Sequence, residues 1–314
     1  MCTYLSSYRL FTDVPGQLAD PALRAYDLAT PLFSDYADKL RWIFLPPGTA
    51  MTWSDDGAFA MPVGTVIVKT FAYPVDARDP SLGRRLLETR LLIHRADGWE
   101  GATYVHDEAL GDAVLSSGAR TLDVTWIDGD GQARTNAYVT PSRNQCRNCH
   151  EETVDVLAPI GPKARHLNHD GQLAALVDDG LVEGAPPEDQ WPAVAPLDGD
   201  APVAERARGW LDINCGHCHN PLGAARTSGL DLRLANDDPF SFGVCKPPVA
   251  AGQGSGGRAW DVVPGEPDQS ILVYRIEATE ADVKMPELGR NLVHAEGVAA
   301  VRAWIAGLDG DCGS

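Results

Sequence analysis

Between residues 40 and 140, apolar and polar positions alternate in short runs broken by Gly, Pro and Asp, a pattern of strands and turns. Residues 40–45 (Leu-Arg-Trp-Ile-Phe-Leu) read as a first strand. Residues 66–73, rich in β-branched and aromatic side chains, follow, then residues 86–94 as a second long run and residues 102–106. Residues 122–127 alternate with period two, and Asp128-Gly129-Asp130-Gly131-Gln132 is a hairpin turn into residues 133–139. No helical crossover separates these runs, so the pattern predicts an antiparallel β-sandwich of jelly-roll type. Residues 1–30 show no period and read as an irregular lead-in.

The second half of the chain has a different rhythm. Residues 172–177 predict one short helix closed by Gly180, and residues 186–202, rich in Pro, Ala and acidic side chains, predict a linker. Helical spacing returns at 204–211 and again at 295–305, with loop-rich sequence between. If those two helices cross, Trp304 and Ile305 pack near Gly209 and Trp210. The expected organisation is a lead-in (1–30), a β-sandwich domain (31–145), a first site with its linker (146–202) and a domain with a helix at each end (203–314).

Candidate chemistry sits in two five-residue stretches. Cys146-Arg147-Asn148-Cys149-His150 and Cys215-Gly216-His217-Cys218-His219 both read C-x-x-C-H, the attachment signature of a c-type haem. Two thiols a short turn apart each form a thioether to one vinyl group of the porphyrin. The histidine that follows then lies under the iron as its proximal ligand. Around the second motif a leading helix, a loop-rich middle and a terminal helix make the layout of a class I cytochrome c domain. The expected fold class is therefore α+β and multidomain: an N-terminal jelly-roll-like β-sandwich followed by an α-helical class I cytochrome c domain. Paired C-x-x-C could also hold one structural zinc, but the histidine after each motif makes zinc unnecessary. A thioredoxin-like redox site needs a βαβ context, which the pattern lacks.

The iron ligands follow from position. His219 is proximal at the second haem, and Met285 is the one methionine after that motif, in a loop before the terminal helix where a sixth ligand belongs. Pro286 holds that loop extended, although a methionine also fills core gaps. His150 is proximal at the first haem. Its sixth ligand is open among His166, His169, His94, His106 and Met61, or the position is vacant, as a catalytic haem requires. The first haem is expected against the β-domain or between domains, and His217 is a filler between cysteines.

Composition narrows the setting. The chain has 314 residues, 44% of them hydrophobic, enough for two domains with real cores. A formal net charge of −18 argues against nucleic acid and asks for redox partner proteins with basic docking surfaces. Of seven cysteines, four belong to the motifs. Cys245 and Cys312 flank the last segment and are a candidate disulfide in an oxidising compartment; two separate thiols are the other reading. Covalent haem attachment, carried out outside the bacterial cytoplasm, agrees with such a compartment. No apolar run is long enough to span a membrane. Cys2 follows Met1 directly and is either a lipid-anchor site, Met1 standing in for a lipoprotein signal peptide, or an incidental N-terminal cysteine.

Assembled, these residues resemble a family of bacterial diheme c-type cytochromes, conserved hypothetical lipoproteins. The likeness runs almost end to end: Leu5-Ser6-Ser7-Tyr8-Arg9-Leu10-Phe11, residues 31–39, Pro62-Val63-Gly64-Thr65, Glu88-Thr89-Arg90, Ile160-Gly161-Pro162-Lys163 with Leu167-Asn168, and residues 214–221. The tail adds Ser228-Gly229-Leu230-Asp231-Leu232, Val263-Pro264-Gly265 and Met285-Pro286-Glu287-Leu288-Gly289-Arg290. The resemblance implies two covalently bound haem c groups, favours the Cys245–Cys312 pair and makes Cys2 the acylated residue, in the periplasm or on the outer cell surface. It leaves the substrate question open. An electron carrier with no catalytic residue is the leading expectation. A peroxidase-like enzyme with a catalytic first haem and the second as relay is the alternative, and a docking or sensing module a third.

Overall fold

The computed structural model describes residues 1–153, 156–249 and 251–313. The chain divides into two compact units. The first takes Met1–Leu28, Tyr36–His150 and Asp155–Pro192; the second takes Ala29–Asp35, Glu151–Val154 and Ala193–Ser314.

The first unit is built on one six-stranded antiparallel sheet. Its strands are β1 (Leu23–Ala25), β2 (Asp38–Phe44), β3 (Val66–Pro74), β4 (Arg84–Arg95), β5 (Gly98–Asp107) and β6 (Asp112–Ser116), each paired with the next in sequence. The β-branched and aromatic content of β3 and the leucines of β4 suit a surface buried on both faces. Leu91, Ala102 and Tyr104 share one face with Val68, and the lead-in closes over it: Leu5, Leu10, Phe11 and Val14 are all buried there. Ile43, Ile67 and Leu92 point to the other face, where Met51, Phe59 and Met61 pack with α2 (Ala164–Leu167) and α3 (Gln172–Asp178). A hairpin of β7 (Arg120–Ile127) and β8 (Ala133–Thr140) forms its own two-stranded ladder, joined to the segment after β3 by a bridge between Ile127 and Asp76. It leans Trp126 and Tyr138 against Tyr73 of β3. The first motif follows β8, as a 3-10 turn at Asn144–Cys146 and then α1 (Arg147–His150).

In the second unit, α4 (Val203–Asn214) starts in strong helix formers and packs on α6 (Ala295–Ala306). A shorter helix, α5 (Ile271–Glu277), completes a core of Trp210, Leu211, Val273, Ile276, Val301, Trp304 and Ile305. The α4–α6 approach is set by Gly297, where a Cβ would come within 2.3 Å of the Trp210 indole. Gly209 instead faces Val194 and Ala195. Cys245 and Cys312 are joined as a disulfide, their Cα atoms 5.0 Å apart.

Two parts of the expected fold class are corrected. The sheet is a sequential meander rather than a jelly roll, because every strand pairs with its chain neighbour and none returns across the sheet. The second unit is not the α-helical class I cytochrome c domain anticipated. The chain is 22% helical and 26% strand, and among the described residues between α4 and α5 there are only turns, bridges and short 3-10 segments. The reason is compositional: residues 220–270 are dense in Gly, Pro, Asp and Ser, which favour turns and break helices. The lead-in is also more ordered than expected, with Phe11–Asp13 paired to Leu18–Ala19.

Candidate functional site

The second motif is a direct continuation of α4. The Cys215 amide donates to the Leu211 carbonyl at 2.8 Å, and the His219 amide donates to the Cys215 carbonyl at 2.9 Å. This turn puts both cysteines and His219 on one short arc. Gly216 is required there, since a Cβ would sit 2.8 Å from the Asp212 carbonyl oxygen. Asn220 closes the arc: its amide donates to the carbonyls of Gly216 and His217, and its side-chain oxygen accepts from the amides of Leu222 and Gly223.

Cys215, His219 and Met285 line one cleft with Leu230, Leu232, Ile271 and Ile276. The cleft has a volume of about 70 Å³. Burial pushes the Cys215 thiol up to about 12. Burial, with the nearby cations of Arg275 and Lys246 behind it, brings His219 down to about 4, so its imidazole is neutral at neutral pH.

The His219 tautomer can be read from its partner. The Ser228 hydroxyl donates to the Ala225 carbonyl at 2.7 Å, so toward His219 Nδ1, 3.0 Å away, it accepts. Nδ1 therefore carries the proton and Nε2 the lone pair, the arrangement that a metal-ligating histidine needs. Ser228 is held in turn by Lys246, whose buried ammonium donates to its carbonyl at 2.7 Å and pairs with Asp261 at 3.1 Å.

Met285 is held from behind. Its amide donates to the Arg275 carbonyl, and its own carbonyl accepts from Arg290 Nε and Nη2 at 2.9 and 2.7 Å. Arg290 is buried and also reaches the Ala278 carbonyl at 2.9 Å. Next to it, buried Asp35 accepts from the amides of Asn291 and Leu292. A thiol, a neutral imidazole with its lone pair on Nε2 and a thioether line this apolar cleft, with the Cys218 thiol on the same arc, and this donor set fits a covalent haem c.

At the first motif Cys146 lies against β5. Gly101 leaves room for it, the Cys146 Cβ and Sγ each 3.9 Å from where a Gly101 Cβ would stand. His150 Nδ1 lies 3.0 Å from the Ala158 carbonyl, which only accepts, so again Nδ1 holds the proton and Nε2 the lone pair. The candidate sixth ligands separate by position. His106 is on the sheet face opposite Gly101 and Cys146, bonded to Thr89, which removes it. Met61 is buried in the core, and His169 is held between Asp170 and Gln172. His94 shares the face of Cys146, with Nδ1 on the Met61 carbonyl at 2.9 Å and its ring stacked on Trp99. His166 is buried in α2. His94 and His166 remain as candidates.

Sequence reasoning did not single out Ser228, Arg290, Asn220 or the Lys246–Asp261 pair, although Ser228 and Arg290 lie in stretches that carry the family likeness. Cys2 lies at the start of the first unit, its amide donating to the Tyr8 hydroxyl. Among the described residues no helix is long and apolar enough to cross a membrane. The chain matches no protein-family model, no curated protein and no solved structure.

Proposed function

We propose that this protein is a diheme c-type cytochrome, passing single electrons between redox proteins outside the bacterial cytoplasm. The observation that carries the reading is the second cleft, where Cys215 and His219 meet Met285, a residue far along the chain. The matched Nδ1 arrangement of His150 and His219 supports a ligand role at both motifs. The resemblance to bacterial diheme lipoprotein cytochromes points the same way.

A bound haem would supply a reversible one-electron iron couple. The chain's own residues hold and tune it. Cys146, Cys149, Cys215 and Cys218 anchor the group at fixed points, and His150 and His219 offer Nε2. Met285 offers a thioether, a ligand that favours the reduced metal, so the second site is the higher-potential one. Apolar walls at the cleft keep water away from it and limit rearrangement when charge changes. The acidic surface selects partners with basic docking faces, and the protein would work in the periplasm or at the outer cell surface, anchored through Cys2.

The test is pyridine haemochrome stoichiometry with the oxidised electron paramagnetic resonance spectrum. Two haems per chain, both low-spin and indifferent to peroxide and carbon monoxide, are the expected result. One haem or none overturns the reading. A high-spin signal that responds to peroxide replaces the carrier by a haem enzyme.

A further inference from the structure

One face of the sheet carries a basic row, Arg41 buried and Lys69 and Arg90 half-buried. In register, Arg41 of β2 stands beside Lys69 of β3, Lys69 beside Arg90 of β4, and Arg90 beside Thr103 of β5. Cations directly opposite one another on neighbouring strands repel. Here they are also poorly neutralised among the described residues. Arg41 pairs with Asp27, a largely exposed carboxylate, and Arg90 with buried Glu88, while Lys69 has no ion pair and lies over the Phe71 ring beside Arg90. Three buried polar atoms of the row have no hydrogen-bond partner: Arg41 Nη2, Arg90 Nε and Thr103 Oγ1. Arg41 is only 5% exposed and Thr103 only 3%. A buried donor without an acceptor is costly, and two such guanidinium nitrogens on either side of Lys69 mark a place where an anion belongs.

The row starts at the first motif. Gly101, two residues before Thr103 on the same face, is the residue against which Cys146 rests. In a haem the two carboxylates lie on the edge opposite the vinyl groups that the cysteines take. Strand spacing puts Lys69 and Arg41 about 5 and about 10 Å from Arg90, across the sheet and away from that anchor. We propose that the row Arg41–Lys69–Arg90 receives the propionate carboxylates of the haem held by Cys146 and Cys149. This rests on the diheme reading and adds to it the seat of the first haem: the charged face of β2, β3 and β4. It also accounts for Lys69, whose ammonium is pushed well below its ordinary range by burial first and then by the charges of Arg41, Lys39 and Arg90. An anion beside it relieves both.

The experiment uses the haem-loaded protein with isotope-labelled haem carboxylates, read by redox-difference infrared spectroscopy and by the two midpoint potentials. Lys69→Gln is expected to move the labelled carboxylate bands and to shift the first-haem midpoint downward, because a positive charge that favours the reduced iron is gone, with the second haem unchanged. Lys69→Arg, which keeps the charge, is expected to restore both signals. Two haems per chain with labelled bands that ignore Lys69→Gln overturn this proposal and leave the cytochrome reading standing. Absence of the first haem from the haemochrome count overturns both.

Discussion

The guanidinium of Arg290 holds the backbone carbonyl of Met285 with two hydrogen bonds, at 2.7 and 2.9 Å. The thioether is thus positioned through its own backbone, by a cation whose burial lowers its pKa while Asp35 opposes that shift. Arg290→Met would keep the volume and strand the carbonyls of Met285 and Ala278. The expected cost is on the order of 3 kcal/mol in unfolding free energy. In the haem-loaded protein the absorption band that reports thioether bonding to ferric iron should weaken. A variant with unchanged stability and an unchanged band would remove Arg290 from the support of the site.

Replacing the thioether itself gives a different signature. Met285→Ala should leave both thioether attachments and the haem count intact, open the second iron to carbon monoxide and lower its midpoint potential. An unchanged reduced spectrum and midpoint would show that the sulfur fills space only.

Ser228 tunes the proximal side. A hydrogen bond from Nδ1 to an acceptor makes imidazole a stronger donor to the metal and favours the oxidised iron. Ser228→Ala removes the acceptor and should raise the second-haem midpoint, whereas Ser228→Asp, a charged acceptor, should lower it. Opposite responses to the two substitutions distinguish tuning from a general packing defect, which would move both the same way. At the first motif the acceptor is the backbone carbonyl of Ala158, fixed in place, so no side-chain change can imitate this test there.

The strands of the sheet were legible because their apolar runs are bounded by Gly, Pro and Asp, and both motifs were legible because their spacing is local. Strand order was not, since alternation records which face a residue takes and nothing about which strand lies beside it. That is why a meander could be read as a jelly roll. The helices α4 and α6 announced themselves by spacing, but two end helices say little about the turn-rich segment between them. Arg290 and Ser228 act through contacts to backbone carbonyls or to a histidine ring, and such contacts leave no pattern in one sequence.

Gly297 reports the α4–α6 approach. In an isolated helix alanine is favoured over glycine by about 1 kcal/mol. Here the added methyl would meet the Trp210 indole, whose Nε1 is also donated to His294 Nδ1 at 2.8 Å. Overpacking of this kind costs about 1–3 kcal/mol. Gly297→Ala should therefore lower the thermal midpoint despite its better propensity. A rise would mean that the indole moves aside freely.

His106 gives the first unit a pH dependence of its own. Burial brings its imidazole down to about 4, with Asp112 opposing the shift, and its Nε2 lies 2.9 Å from the Thr89 hydroxyl, itself bonded to Thr70. An unfolded chain protonates histidine near pH 6.5, so between that value and about 4 the unfolded state binds the extra proton. The stability that neutral His106 provides is complete above pH 6.5 and is lost as pH falls toward 4, to a total of at most about 3 kcal/mol. His106→Gln keeps a hydrogen-bonding group toward Thr89 and has no proton to gain. Chemical denaturation across this range should give a steeper loss for the parent than for the variant, and since carboxylate titration is common to both, their difference isolates His106. Parallel curves would mean that the imidazole reaches water and protonates in the folded protein at its ordinary pH.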